Sequence, residues 1–382
     1  MTNTLVNIAG KALDIVSTPE SIRHLRQQEV ITSRQKRKNR MLSSAQFQNG
    51  TAITKLPKQY SHQSTFQTFW KYTGERHHLK PKNELPYMLL DAHQLRQVSD
   101  ELRITWLGHS SLFIEMSKQR ILIDPVFEHA SPNIVKALFK RNVSIPTTRE
   151  NLPMPDVIVI SHDHYDHLEK ETMQFYADKN VHFLVPLGVG EHLEKWGVSP
   201  SKIKEFDWWE SAAIKGVIYT ATPANHQSGR TGLDTNKTLW ASWCIHSQHS
   251  SVFYSGDTAY DKHFKEIGER MGPFDVAFME VAANVKKGRG FPVENWGHMQ
   301  ARHTVKAFHD VKAKSLFPVH WSTYELFTHK WDEPIQDLML EVKRKPISLL
   351  TPLVGQSIYL HSPQAKIKWW DEVNYLLEGS FA

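Results

Sequence analysis

Four potential metal-binding side chains fall within six consecutive positions, in His162-Asp163-His164-Tyr165-Asp166-His167. The pattern is His-x-His-x-Asp-His. One divalent ion does not take four donors from so short a loop. In extended chain, His162 and His164 can point the same way, while Asp166 and His167 turn toward a neighbouring point. That arrangement suits two adjacent metals. In a chain of 22 histidines an isolated one would carry little weight, but this spacing does.

The elements that must position such a loop can be read around it. Asp156-Val157-Ile158-Val159-Ile160-Ser161 is a β-branched apolar run, hence a buried strand, and the cluster leaves its end. Upstream, runs at 103–107, 112–116 and 120–124 joined by short turns predict an antiparallel sheet. Downstream, strands are expected near 182–185, 217–222, 239–245, 251–255, 275–280 and 315–319. Helices are expected over 169–178, 261–271 and 299–310, the second stopped by Gly272-Pro273. Mixed strands with helices in two halves argue for an α/β layered sandwich. Three more strand ends offer ligands: His226 after 217–222, Asp257 after 251–255 and His320 after 315–319. Each alone is weak, because a histidine or a Gly-Asp turn at a strand end is commonplace. Their shared position, in one chain with the hexapeptide, is informative.

His162-x-His164-x-Asp166-His167 followed by His226, Asp257 and His320 resembles the metallo-β-lactamase superfamily over roughly residues 100–330. The resemblance implies a four-layer αβ/βα sandwich with an N-terminal extension and two metals at one edge. It assigns His162, His164 and His226 to the first metal, Asp166, His167 and His320 to the second, and Asp257 to both. Asp124, in Ile123-Asp124-Pro125, would orient a ligand from behind, and His109 would lie beneath the site. The ligands are imidazole and carboxylate, which suit two zinc ions, with iron or manganese as alternatives. Two such ions about 3.5–4 Å apart would share a hydroxide as nucleophile. Asp166 and His298 are the expected catalytic residues, His298 protonating the leaving group or holding a phosphoryl oxygen. Arg230 and the loop Lys286-Lys287-Gly288-Arg289-Gly290 are candidates to attract an anionic substrate.

A finer likeness is to the N-acylphosphatidylethanolamine-hydrolysing phospholipase D family, over about residues 45–335. Its carriers are Thr105-Trp106-Leu107-Gly108-His109, Val185-Pro186-Leu187-Gly188, Asp207-Trp208-Trp209-Glu210, Gly272-Pro273-Phe274-Asp275 and His320-Trp321-Ser322-Thr323. This implies a phosphodiesterase acting on N-acylphosphatidylethanolamine-like lipids. A soluble phosphoester or a sugar-phosphate lactone is the alternative substrate. Asp163 stands where the animal enzymes are expected to have Asn, and Glu280–Pro292, expected at the substrate entrance, is unlike theirs.

Composition bounds the remainder. The chain has 382 residues, 40% apolar and 23% charged, as expected of a globular protein with a substantial core. Its single cysteine, Cys244, excludes an internal disulfide and reads as a buried thiol in a core strand. Residues 1–60 hold ten Lys/Arg against three Asp/Glu, a balance of +7, whereas the other 322 hold 36 against 37. Three regions follow: a basic segment over 1–45, flexible or membrane-facing; an arm over 46–100 packing on the body; and a catalytic domain over 101–382. Thr18-Pro19-Glu20 marks a helix start, and residues 4–16 are weakly amphipathic. With the run Arg34–Arg40 they would bind an anionic membrane surface weakly, and the expected location is cytoplasmic, at the inner face of a membrane. No stretch approaches the roughly 18 apolar residues of a membrane span, and no secretory signal is evident. A nuclease ranks low, since Asp257 and His320 are only 63 positions apart. A flavin-dependent redox enzyme lacks room after His320, and a non-catalytic nucleic-acid-binding protein would have lost ligands.

Overall fold

A computed structural model describes residues 19–56, 79–91, 95–231, 233–283, 296–324, 326, 329–360 and 368–378. The segments 4–16, 66–70 and 286–290 lie outside the described residues, as does Thr18.

The described residues open with a helix, α1 (Pro19–Ser43), and a small hairpin, β1 (Phe47–Gln48) and β2 (Thr51–Ala52). The first large sheet has β3 (Arg103–Gly108), β4 (Ser111–Met116), β5 (Gln119–Ile123), β6 (Val157–Val159), β7 (His182–Pro186), β8 (Ile203–Phe206) and, at its far edge beside β3, β16 (Ser357–Tyr359). The second is ordered β15 (Ser348–Leu349), β14 (Ala313–Val319), β13 (Phe274–Glu280), β12 (Ser251–Tyr254), β11 (Ser242–His246), β10 (Val217–Thr222) and β9 (Ser211–Ile214). The helices are α2 (Lys170–Tyr176), α3 (Gly190–Lys195), α4 (His263–Arg270), α5 (Ala301–Asp310), α6 (Glu333–Arg344) and α7 (Trp369–Glu378).

The sequence explains the layering. In β6 and the residue after it, Val157 and Val159 enter the core shared with the second sheet, while Ile158 and Ile160 enter a separate core with Met173, Tyr176 and Leu193 of α2 and α3. A strand buried on both faces must be apolar at every position, and this one is. Helix α4 covers the other sheet through Phe264, edge-on to Phe253 of β12. The result is the αβ/βα sandwich. No described helix is long and apolar enough to cross a membrane.

Strand direction gathers the chemistry. Strands β5 to β8 run parallel, as do β12 to β15. Strands β3 and β10 are each two antiparallel steps from β5 and β12, so they share those directions. Residues leaving β3, β5, β6, β10, β12, β13 and β14 therefore emerge at carboxyl ends, where α/β sheets present their sites.

Two expectations need correction. Residues 239–241 are not part of β11; Leu239 N and Ala241 N donate to Leu187 and Ser161, crossing to the first sheet instead. The basic run 34–40 lies within α1 and is not wholly solvated. Arg37 is 4% exposed and bonds Glu194 at 2.7 Å and Glu205 at 2.8 Å, and Arg40 pairs with Glu210. Arg34, Lys36 and Lys38 stay exposed.

Candidate metal centre

The hexapeptide turns sharply after β6, with Leu168 N donating to His164 O at 2.8 Å. His162 Nε2 lies 2.8 Å from His164 Nδ1, which lies 3.3 Å from His226 Nε2. Asp257 Oδ2 is 3.7 Å from both His162 Nε2 and His226 Nε2. These four form one cluster of ligand atoms. Beside it, Asp166 Oδ2 is 3.4 Å from His167 Nε2 and 3.6 Å from His320 Nε2. Asp257 Oδ2 reaches this side too, 3.2 Å from His167 Nε2 and 3.3 Å from His320 Nε2. All seven predicted ligands thus meet at one edge, with Asp257 between the two groups.

The residues fit divalent ions. Tetrahedral ligands about 2.0–2.1 Å from a metal lie roughly 3.3–3.4 Å from each other, and the spacings above scatter around that value. The buried Nε2 atoms of His167 and His320 and Oδ1 of Asp257 have no hydrogen-bond partner among the described residues. Polar atoms buried this way are costly unless something else satisfies them.

Hydrogen bonds behind the ligands set which nitrogen faces inward. His226 Nδ1 donates to Gly297 O at 2.8 Å, and His167 Nδ1 lies 2.7 Å from Asp124 Oδ2, so both turn Nε2 toward Asp257. Asp124 also accepts from Tyr254 Oη at 2.5 Å, from Ser161 N at 2.7 Å and from Ser161 Oγ. His109 Nε2 lies 3.0 Å from Asp166 Oδ2 and its ring packs on that of His320.

Burial is the largest influence on each charge. It pushes His162, His164 and His226 below the usual imidazole range, leaving the neutral form that ligates. For His167 and His320 burial acts the same way, but Asp257 and Asp166 outweigh it, and His320 is raised to about 10. Burial also opposes ionisation of Asp166 and Asp257, yet His167 and its neighbours hold both well below the usual carboxylate range.

His298 is buried, with its ring 5.1 Å from that of His226 and 5.0 Å from that of His320. Its Nδ1 lies 2.6 Å from Glu280 Oε2, while Glu280 Oε1 accepts from Thr258 N. Glu280 escaped the sequence reading, which placed it at the start of an entrance segment. Its position at the end of β13, like the other strand-end ligands, was the available signal. Arg230 Nη1 donates to Asp163 O at 2.6 Å and Leu168 O at 2.8 Å, and its guanidinium lies over Tyr165. It braces the hexapeptide loop. Cys244 is buried in β11, where burial pushes its thiol above the usual range.

Known proteins resemble this chain in sequence and fold. A family described as beta-lactamase superfamily domain matches residues 119–321. An uncharacterised protein of Mycobacterium tuberculosis is 35% identical over 79% of this chain and 80% of its own length. An N-acyl-phosphatidylethanolamine-hydrolyzing phospholipase D of Caenorhabditis elegans is 30% identical over 62% of this chain and 68% of its own. In fold, the chain matches a possible metal-dependent hydrolase from Veillonella parvula with a TM-score of 0.54, at 17% identity over 68% of this chain and 99% of that one. The chain belongs to the metallo-β-lactamase superfamily and has N-acyl-phosphatidylethanolamine-hydrolysing phospholipases D among its relatives.

Proposed function

We propose that this protein is a dinuclear metallohydrolase of the phospholipase D type, cleaving the phosphodiester of N-acylphosphatidylethanolamine-like lipids. The observation that carries the reading is Asp257 Oδ2, within 3.2–3.7 Å of two histidine nitrogens in each cluster. His162, His164 and His226 would hold one ion, Asp166, His167 and His320 the other, and Asp257 both. Bound there, two divalent ions, zinc best matching the donors, supply an ionised water at neutral pH and neutralise charge developing on the phosphoryl oxygens.

The chain's own residues do the rest. Asp124 and Gly297 O fix the tautomers of His167 and His226, so the ligand nitrogens need no reorientation. Asp166 is held in place by His109. Glu280 accepts from His298 Nδ1–H, so the doubly protonated ring can pass its Nε2 proton to the departing oxygen and keep the one on Nδ1. The relationship to N-acyl-phosphatidylethanolamine-hydrolyzing enzymes of a nematode and of yeast supports the lipid as substrate.

The test is a panel on zinc-loaded protein: N-acylphosphatidylethanolamine, phosphatidylethanolamine, a soluble phosphodiester, a lactone and RNA. Release of N-acylethanolamine and phosphatidic acid is expected. Turnover of a soluble substrate with none of the lipid would overturn the lipid assignment.

A further inference from the structure

Of the first cluster's ligands, His162 and His164 belong to the hexapeptide, Asp257 lies on the loop between β12 and α4, and His226 lies in the long connection between β10 and β11. It sits in an irregular stretch after β10, so its backbone depends on borrowed hydrogen bonds. Asn225 O accepts from Ala259 N at 2.8 Å and Asn225 N donates to Thr258 Oγ1 at 2.8 Å, which ties this stretch to the Asp257 loop. The His226 carbonyl is served from a distant part of the chain. Thr54 Oγ1 donates to it at 2.8 Å and at the same time accepts from Leu56 N at 3.1 Å.

Thr54 ends a continuous strap. Helix α1 is anchored by Arg37, buried between Glu194 and Glu205, with Ser33 Oγ donating to Glu194 at 2.5 Å. The β1–β2 hairpin packs Phe47 and Ala52 against Leu187, Ala224, Leu239 and Trp240. Ala52 N donates to Asn236 O at 2.7 Å, fastening the strap to the loop that follows His226. Leu56 then reaches Gly297, whose carbonyl receives the His226 Nδ1 proton. Gly297 has φ +110°, and a Cβ there would stand 3.1 Å from His226 Nδ1 and 3.3 Å from Leu56 Cδ1. Gly297 thus has the imidazole on one side and Leu56 of the strap on the other, and the strap holds the His226 carbonyl, although it lies outside the superfamily's matched region of 119–321.

We propose that residues 33–56 form a strap that builds the first metal site, with Thr54 as a positioning residue for His226. The proposal rests on the metal-binding reading above. Without the Thr54 hydroxyl the buried His226 carbonyl loses its donor and the ring's angle to His162 and His164 loosens. Among the described residues, the hydrogen bonds of Thr54 reach His226 and Leu56 and none of Asp166, His167 or His320, which are held by His109, Asp124 and β14.

Stepwise zinc titration against a chelator, on full-length wild type, Thr54→Val and Thr54→Ser, tests this. Outer hydrogen bonds to ligands are worth roughly 10–100-fold in metal affinity, so Thr54→Val should weaken one site about tenfold or more and leave the other within about threefold. Thr54→Ser, which keeps the hydroxyl, should restore it, and the melting temperature of metal-free Thr54→Val should fall by no more than about a few degrees, the cost of one buried carbonyl without its donor. Equal weakening of both sites, or none, would overturn the proposal, as would failure of Thr54→Ser to rescue. Wild type that binds no zinc would instead sink the metal reading itself, so the two failures are distinguishable.

Discussion

Replacing Asp257 by Asn keeps the side-chain shape and removes the charge between the two clusters. In the structure Asp257 Oδ2 lies 3.2 and 3.3 Å from His167 and His320, and 3.7 Å from both His162 and His226. Partners that merely hydrogen-bond a ligand contribute about 10–100-fold to metal affinity, or roughly 1.4–2.7 kcal/mol. A ligand shared by two ions should contribute at least that at each. The product of the two binding constants should therefore fall at least about 100-fold, and by about 10⁴-fold if both sites lose the larger amount. The assay is zinc stoichiometry after dialysis against a graded chelator, with calorimetry for the stepwise constants. Full occupancy of two ions per chain at wild-type affinity would show that Asp257 does not bridge.

Proton release offers an independent check. In the metal-free protein His320 is raised to about 10 and His167 is raised too, because Asp257 and Asp166 outweigh the burial that disfavours their charge. Stability from the protonated His320 is complete below its unfolded value near 6.5 and is lost as pH rises through about 10. The metal-free melting temperature should fall over that window, and zinc binding at pH 7 should release protons, seen as a dependence of binding enthalpy on buffer ionisation; an enthalpy independent of buffer would contradict it. Glu280→Gln presents an amide N–H to His298 Nδ1 when its oxygen keeps the Thr258 bond, so Nδ1 can no longer carry a proton and the doubly protonated ring that donates from Nε2 cannot form. It should lower kcat by about 10²–10⁴-fold with KM and zinc content little changed, and a wild-type kcat would remove His298 from proton transfer. Arg37→Met leaves Glu194 and Glu205 buried without their cation, a loss of about 3–5 kcal/mol in thermal unfolding. A change below about 1 kcal/mol would mean that the pair does not anchor α1.

The parts of this molecule that were legible in its sequence share a physical reason. A strand buried on both faces is apolar throughout, so Val157–Val159 stands out, and a His or Asp directly after such a run must emerge at the sheet edge. His226, Asp257 and His320 could be placed for the same reason. The illegible parts depend on partners far away along the chain. Arg37 reads as one cation in a basic run, and only the fold brings Glu194 and Glu205 to it. The bonds of Arg230 to the backbone carbonyls of Asp163 and Leu168 are likewise invisible in the sequence. Helices α6 and α7 and strand β16 went unanticipated, since their apolar faces are specified by the core they join. Trp369 of α7 stacks on Trp321, which follows His320, at 5.2 Å. The C-terminal region thus buttresses a ligand that precedes it.

The central claim is a two-metal site shared through Asp257, and metal content with X-ray absorption on the zinc-loaded protein tests it most directly. Two zinc ions per chain are expected, with a metal–metal scattering path of about 3.5–4 Å. A single ion per chain, or two with no such path, would contradict the account.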